Sequence, residues 1–451
     1  MKILKSLASV KLAVFVILSL AILIAMGTLV ESRLDARAAK VFVYDSWWMY
    51  ATMGLLTVNL LAVIADRFPW KTQHMAFIFA HIGIIILLVG SVLTLRFGTD
   101  GILRLEPGQE NNKVILPETE LVLFRSPGID DFQKIYTEEV EFLKSPVRAE
   151  KPFIIKAKDL DIKIMESVTY AVPKMQVIAS QFSQSGAGLR LHLTNERVNF
   201  TDWFIQRNIF EKVEKDLGPV KITFGGLWER SLDRNEIRFV PQEEKVQYFI
   251  YGKNETRELR KGWIKEGEAL KTPWMGLEAK ALRYFPKAQT QWSIEKSEHP
   301  TPLTVTALRV VHNGHESWLF QNDNLKIFTD SHVYLLAFIN KRKELPFSLV
   351  LKEFVKSDYP GTMRAMSYQS HVQTSEGGDH LIAMNEPLKQ GGFYFYQASF
   401  DQNERGTVQA SILSVNHDPG RILKYLGSFL LSLGIVMMFY FKKRQKNQAQ
   451  A

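Results

Sequence analysis

Four long apolar stretches constrain this chain more than any other feature of its 451 residues. A helix needs about 20 apolar residues to cross a hydrocarbon layer roughly 30 Å thick. Three stretches occupy 12–30, 48–64 and 75–95, and a fourth occupies 422–441. They predict four membrane-spanning helices, with the large segment 97–420 forming a domain between the third and the fourth.

The first stretch has a competing interpretation, because a basic leader followed by an apolar run is also typical of a secretory signal peptide. It is long for such a segment, it lacks a small-x-small cleavage site, and further apolar stretches follow it. We therefore expect a retained helix. The predicted plan is three helices in 1–96, a β-rich outer domain in 97–420, and a fourth helix with a basic tail in 421–451.

The basic residues predict which side of the membrane each loop occupies. The N-terminus carries lysines, the loop DRFPWKTQH between the second and third stretches is short and basic, and the tail contains KKRQK. Because Lys and Arg are enriched in cytoplasmic loops, we expect both termini in the cytoplasm and the large domain outside. The net charge of +9 then reflects membrane flanks rather than nucleic-acid binding. We expect a bacterial inner membrane, with the large domain in the periplasm.

The segment between the third and fourth stretches changes to short alternating runs broken by turn residues, which is typical of β-strands. These runs are GILRLEPGQ, ETELVLFRS, KDLDIKIMES, VKITFGGL, EKVQYFIYG, TPLTVTALRV, HVYLLAFIN, PFSLVLKEF and GTVQASILSV. We expect a mainly antiparallel β domain that is sandwich- or barrel-like. The best candidate for a helix within it is 202–216.

The outer domain lacks the sequence signatures of the common enzyme classes, namely a P-loop, a dinucleotide fingerprint, an HExxH zinc motif or a nucleophile elbow. His312 and His315 lie three residues apart, and His371 and His380 flank a Gly-rich segment; we interpret each as a surface histidine rather than a metal ligand. We therefore assign no catalytic residue. The chain contains no cysteine, which excludes disulfides, thiolate metal sites and thiol chemistry, so any thiol redox step belongs to another protein.

His81 is the most informative single residue, because it lies inside the third apolar stretch. An ionisable side chain within a span is costly in hydrocarbon and is a functional hypothesis by default. Neutral imidazole binds iron, zinc and copper, and haem is the apolar cofactor that suits a bilayer site. Two interpretations remain open, a hydrogen bond to a neighbouring helix and axial ligation of haem b iron. For Asn59, inside the second stretch, we expect a helix–helix hydrogen bond.

His74 lies seven residues before His81, so two helical turns place both rings on nearly one face, about 10 Å apart along the axis. That separation is too large for the two rings to bind one iron from opposite sides. The other apolar stretches contain no histidine. A haem iron at His81 would therefore be five-coordinate or would take its second ligand from a partner protein. His74 is a candidate gate or access contact for the cofactor, and the alternative is a solvated interfacial histidine.

Several segments resemble the ResB family, whose members are also called CcsB. At the start they are SVKLAVFVILSLAILIAMGTLV, DSWWMYATMGLLTVNLLAV, FAHIGIIILLVGSVL and FGTDGILRLEPGQ, and near the end MNEPLKQGGFYFYQASFD and SVNHDPGRILKYLGSFLLSLGIVMMFY. The resemblance covers both ends and the four-span plan. The middle, about 130–360, is similar only in size and β character.

The resemblance implies a role in System II cytochrome c biogenesis, in which a membrane complex carries haem outward and presents it to apocytochrome c for covalent attachment. It implies a CcsA/ResC-like membrane partner with a tryptophan-rich haem-handling motif, which this chain lacks, and a thioredoxin-like thiol reductant on the outer side. The family's third-span histidine, implicated in haem ligation, corresponds to His81. The chain would then be a non-catalytic or partner-dependent subunit of a cytochrome c synthase. The alternative is a membrane scaffold that binds the partner and recruits apocytochrome c without contacting haem.

Overall fold

The structure is a computed structural model that describes residues 2–126, 131–157, 160–226, 232–362, 364–403 and 408–448; the side chains of residue 73 and of residues 441–448 are outside this description. The chain divides into two compact units. The first comprises Met1–Tyr170 with Ser297–Ala451, and the second comprises Ala171–Lys296. Each unit is described separately below.

The helices among the described residues all belong to the first unit. They are α1 (Lys2–Leu7), α2 (Val10–Arg33), α3 (Ala36–Ala39), α4 (Trp47–Asp66), α5 (Met75–Phe97) and α6 (Arg421–Gln448), with a π-helical turn at Lys40–Tyr44 and a 3₁₀ turn at Thr72–His74. Helices α2, α4 and α5 and the segment Arg421–Tyr440 of α6 are long and apolar enough to cross a membrane. The four predicted spans are therefore confirmed as helices. The basic side chains of the tail lie outside the described side chains.

Two of these helices begin slightly earlier than the apolar pattern predicts, because serines cap them. The hydroxyl of Ser9 accepts a hydrogen bond from the amide of Leu12 at 3.2 Å, and that of Ser46 accepts one from Met49 at 3.3 Å. An N-cap oxygen satisfies an amide that has no carbonyl partner within the helix. A count of apolar residues does not detect such polar caps.

The remaining elements are β-strands. In chain order they are β1 (Thr99–Leu105), β2 (Glu110–Ser126), β3 (Gln133–Val140), β4 (Phe153–Ala157), β5 (Leu160–Ala179), β6 (Gly188–Thr194), β7 (Asn199–Ile205), β8 (Val213–Leu217), β9 (Val220–Phe224), β10 (Asn235–Pro241), β11 (Val246–Tyr251), β12 (Arg260–Ile264), β13 (Ala269–Lys271), β14 (Glu278–Phe285), β15 (Ala288–Lys296), β16 (Val305–His312), β17 (His315–Phe320), β18 (Asp323–Phe328), β19 (Val333–Asp358), β20 (Ala365–Thr374), β21 (Asp379–Ala383), β22 (Leu388–Gln390), β23 (Phe393–Gln402) and β24 (Val408–His417).

The first unit contains a ten-stranded sheet whose main path is β21-β20-β19-β2-β1-β24-β23-β22, with β18 and β3 attached to β19 and β2. Strand β1 follows α5 almost directly, and β24 leads into α6. The two strands are antiparallel, and their register runs from the pair Thr99–His417 to the pair Leu105–Ser411. The sheet therefore holds the C-terminal end of α5 and the N-terminal end of α6 side by side.

The second unit is a sandwich of two sheets, with orders β12-β11-β10-β9-β8 and β13-β14-β6-β7. Fully buried side chains from both sheets form its core, including Leu191, Phe204, Ile222 and Phe239. The strand orders in the described residues are open paths, so these sheets do not close into a barrel. The expected mainly antiparallel, sandwich-like β fold is confirmed, although β9 and β10 pair in parallel.

Each of the nine predicted strand runs contains a strand within the residues that the structure describes. The helix predicted at 202–216 is wrong, because its two ends belong to β7 and β8. Phe204 pairs with Leu189 of β6 and is completely buried in the sandwich core. Tertiary pairing of this kind overrides a weak local helical pattern.

Candidate functional site

His81 lies in the first half of α5, and its orientation is fixed by the residue one turn earlier. Its Nδ1 is 2.9 Å from the carbonyl oxygen of Phe77, and the two rings pack with centroids 3.7 Å apart. Because a carbonyl oxygen only accepts hydrogen bonds, Nδ1 carries the proton and Nε2 holds the free lone pair. Metal-binding histidines are commonly oriented in this way through their second nitrogen.

Phe77 connects this histidine to the loop between α4 and α5. The guanidinium carbon of Arg67, at the end of α4, lies 3.3 Å from the centroid of the Phe77 ring. A cation over an aromatic face contributes about 0.5–2 kcal/mol, depending on its exposure. Phe77 therefore fixes the imidazole of His81 and also holds a cationic group within a short distance of it.

Helix α5 packs against α6 along glycines that recur at intervals of seven residues. Gly83 faces Gly427, and a Cβ built on Gly427 would lie 2.6 Å from the carbonyl oxygen of Gly83. Gly90 similarly faces Gly420, and Gly434 lies against the first turns of α5. Backbones in a membrane approach this closely only where side chains are small. The glycine seam therefore fixes the position of α5 relative to α6.

The seam also determines where His81 points. Ala80 and Gly83 both contact α6. At about 100° per residue, His81 lies about 100° around the helix from Ala80 and about 160° from Gly83. The half-buried imidazole is thus directed to a side of α5 that α6 does not cover.

His74 has a different hydrogen bond from that of His81. Its Nδ1 accepts from the backbone amide of Lys71 at 3.4 Å, which closes the turn that precedes α5. In the neutral ring the proton then resides on Nε2, so no free lone pair is presented. The described residues contain no group of three or more potential metal ligands that includes either histidine. The roles of His74 and His81 therefore remain predictions.

Asn59 forms the helix–helix hydrogen bond that the sequence predicts. Its side-chain amide donates to the carbonyl oxygen of Leu7 at 2.6 Å, at the interruption between helices α1 and α2. Asn59 itself is almost completely buried. It ties α4 to the N-terminal helices and is not available to a ligand.

The loop between α2 and α4 docks on the β structure of the first unit. Arg37 forms a forked ion pair with Glu141, with a shortest distance of 3.0 Å, and the hydroxyl of Tyr170 donates to Asp35 at 3.1 Å. Burial and the neighbouring Asp35 carboxylate raise the pKa of Tyr170 to about 12. These contacts place the loop on the same side of the helices as the β domain. This agrees with the order of the spans, because two of them, α4 and α5, separate the loop from the β domain along the chain.

The histidines of the β structure that were noted in the sequence belong to no group of three or more potential metal ligands among the described residues. His312 and His315 flank the Asn313–Gly314 turn between β16 and β17, with ring centroids 6.1 Å apart. Burial and the nearby His315 lower the pKa of His312. His371 and His380 lie on neighbouring strands, one register position apart.

Sequence reasoning missed a polar group where α6 begins. Asp418 accepts from the hydroxyl of Thr94 at 2.5 Å and forms an ion pair with Lys424 at 2.6 Å. His417, the preceding residue, has a buried Nδ1 with no hydrogen-bond partner in the described structure. The signal available in the sequence was the position of both residues at the junction between a predicted strand and a predicted span.

Comparison with known proteins places the chain near one family. The model of the ResB-like family matches residues 327–414, which include β19 to β23 and most of β24. The resemblance to the ResB-like family is confirmed. Protein NrfI of Wolinella succinogenes is 23% identical over 426 residues, which cover 93% of this chain. The chain spans 33% of the length of that relative. The ResB-like family is implicated in cytochrome c biogenesis.

Proposed function

We propose that this chain is a subunit of a System II-type cytochrome c synthase complex that carries haem b across the membrane and presents it for attachment to apocytochrome c. The observation that carries the proposal is the state of His81: a membrane imidazole with Nδ1 bonded to the Phe77 carbonyl and with the lone pair on Nε2. That arrangement suits an axial ligand of haem iron. The ResB-like match is independent support.

The second axial ligand would come from a CcsA/ResC-like membrane partner. His81 is the only histidine within the four candidate spans, which are described to residue 440, and it faces away from α6. The chain has no cysteine, so reduction of the acceptor thiols would fall to a thioredoxin-like protein on the outer side. His74 would act as an access contact for haem rather than as an iron ligand, since its Nδ1 already accepts a hydrogen bond from the backbone amide of Lys71.

The topology we propose places both termini in the cytoplasm of a bacterium and the β domain in the periplasm. It rests on the basic N-terminus, the basic loop before α5 and the basic tail, together with the loop between α2 and α4 that docks on the β domain. In this orientation His81 lies nearer the cytoplasmic end of α5, where haem made in the cytoplasm would arrive.

The test is to co-purify the full chain with its partner and to measure haem content and absorption spectrum. We expect His81→Ala to lose most of the bound haem and to shift the Soret band, because the iron loses an axial ligand. His371→Ala, on strand β20, is the matched control and should resemble wild type. Each variant must still co-purify with the partner, which shows that it is folded.

An unchanged haem content and spectrum in His81→Ala would overturn the ligand assignment. If that variant also matured cytochrome c normally, whereas removal of the outer domain abolished maturation, the chain would be the scaffold described above. In that case the outer domain would recruit the acceptor, and haem would bind to the partner alone.

A further inference from the structure

Two cationic side chains lie where β24 leads into α6, and neither forms an ion pair among the described residues. Arg421 is the first residue of α6, and the candidate span begins at this residue. Lys389 is exposed on β22, which is the last strand on the main path of the ten-stranded sheet. Asp418, the acidic residue of this junction, pairs with Lys424 instead. The two cations are therefore available to an anion that is not part of the chain.

Arg421 occupies a position that helix electrostatics disfavours. The N-terminal end of a helix carries a partial positive charge, so a cation in the first turn is repelled by it. The first turn of α6 contains no acidic residue that would offset this effect. A local rule that is broken without local compensation is expected mainly at functional positions. The position of Arg421 therefore favours a role in binding.

The two cations share one aromatic ring. The guanidinium carbon of Arg421 lies 3.7 Å from the centroid of Tyr394, and the ammonium of Lys389 lies 5.3 Å from the same centroid. A terminal nitrogen of Arg421 also donates to the side-chain oxygen of Asn416 at 3.1 Å. Because a guanidinium has five N–H donors, this bond leaves others for a further acceptor. Tyr394 and Asn416 thus hold the guanidinium in place beside the ammonium.

This group lies on the face of the sheet that points away from the core. Tyr394 pairs with Asn416 of β24 and with Lys389 of β22, and paired residues project to one face. The alternate residues of β23, Phe393 and Phe395, are buried on the opposite face. Tyr396 lies on the same face as Tyr394, stacks on it with centroids 6.4 Å apart, and is 39% exposed. Exposed tyrosines beside the first residue of a span suit the headgroup level of a membrane.

An apolar stripe continues from the cations along α6. Tyr425 and Phe429 follow Arg421 at intervals of four residues and are 70% and 63% exposed. At about 100° per residue, all three lie between about 100° and 180° around the helix from Gly420, which packs on α5. The stripe therefore faces away from the glycine seam and towards lipid.

These features match the parts of an anionic phospholipid. A guanidinium and an ammonium pair with the phosphate, tyrosines lie at the level of the headgroup, and the stripe of α6 contacts the acyl chains. We propose that Arg421, Lys389 and Tyr394 form a binding site for the headgroup of an anionic phospholipid, in the leaflet on the side of the β domain. The site is independent of haem, so it stands or falls separately from the proposed function.

The test is native mass spectrometry of the full chain in detergent, titrated with phosphatidylglycerol or with phosphatidylcholine of the same acyl chains. We expect phosphatidylglycerol to bind more tightly. Arg421→Gln and Lys389→Gln should each weaken its binding about fivefold, the factor that one cation near an anionic lipid surface contributes. Binding of phosphatidylcholine should change little, because its headgroup carries no net charge.

Arg96→Gln is the matched control. Arg96 is an exposed cation in the last turn of α5, which lies beside the start of α6, so this variant removes the same charge from the same membrane boundary. It should bind phosphatidylglycerol as wild type does. Asp100 pairs with Asn416 and so shares the face of the site, and Asp100→Asn should tighten binding because it removes a like charge from near the phosphate. Lys389→Gln changes an exposed residue of a short strand, so it tests the site without disturbing the start of α6.

Three results would each overturn the proposal. The first is equal affinity for phosphatidylglycerol and phosphatidylcholine, and the second is equal weakening by Arg96→Gln and Lys389→Gln, which would indicate unspecific attraction to the basic boundary. The third is complete displacement of the lipid by inorganic phosphate, which would assign the site to a soluble anion. None of these results depends on His81 or on haem content.

Discussion

The glycine seam between α5 and α6 leads to a quantitative prediction about the helix that carries His81. Gly427→Ala would place a methyl group 2.6 Å from the carbonyl oxygen of Gly83 and 2.8 Å from Leu87. Real Cβ atoms do not occupy such positions, so the helices must separate. Overpacking of this kind costs about 1–3 kcal/mol. The higher helix propensity of alanine stabilises the same variant by about 1 kcal/mol relative to glycine and so offsets part of that cost.

Gly54 of α4 provides the matched control, because a Cβ built there meets no atom within 4 Å. Gly54→Ala gains the same helix propensity without a clash. The difference between the two variants therefore isolates the packing term, about 1–3 kcal/mol, or roughly 5- to 150-fold in the unfolding equilibrium. Gly427→Val should increase the difference further, since a larger side chain enters the same space.

The assay is unfolding of the full chain in mixed micelles by increasing SDS, followed by far-ultraviolet circular dichroism. We expect Gly54→Ala to unfold at the wild-type SDS fraction or above it, and Gly427→Ala to unfold at a clearly lower SDS fraction than Gly54→Ala. Equal midpoints for the two variants would refute the close packing of α5 on α6. They would also remove the argument that His81 is held on the side of α5 away from α6.

Three further predictions concern the polar contacts of the helices. Asn59→Leu removes the donor to the partly buried Leu7 carbonyl and should destabilise the chain by about 0.6–1.7 kcal/mol in the same SDS titration. Burial pushes the pKa of Asp418 up, but its bonds to Lys424 and Thr94 outweigh that effect and lower it. Stability is therefore full above the unfolded carboxyl pKa of about 4 and falls as pH drops through the folded pKa, and Asp418→Asn should abolish this loss. Glu141→Gln breaks the ion pair with Arg37 and should speed proteolysis of the loop after α2, whereas an unchanged rate would argue against its docking.

The local sequence pattern predicted a helix or strand well where apolar length or apolar–polar alternation alone defines that element. The four spans follow from uninterrupted apolar length, and the nine strand runs follow from alternation, because both depend only on neighbouring residues. The interval 202–216 shows the limit, since its two strands pair with β6 and β9 outside the interval and its sandwich core is assembled from residues between 187 and 281. A local helical pattern does not contain that information.

The candidate site divides in the same way. The sequence by itself determined that one histidine lies within the spans and that no cysteine is present. Only the tertiary structure decided that Gly83 meets Gly427, that Thr94 donates to Asp418 from 324 positions away, and that Lys343 and Phe393 gather around the strand pair of Thr99 and His417. The physical reason is that helix and strand periodicities are local, whereas hydrogen-bond partners and packing faces are chosen across the fold.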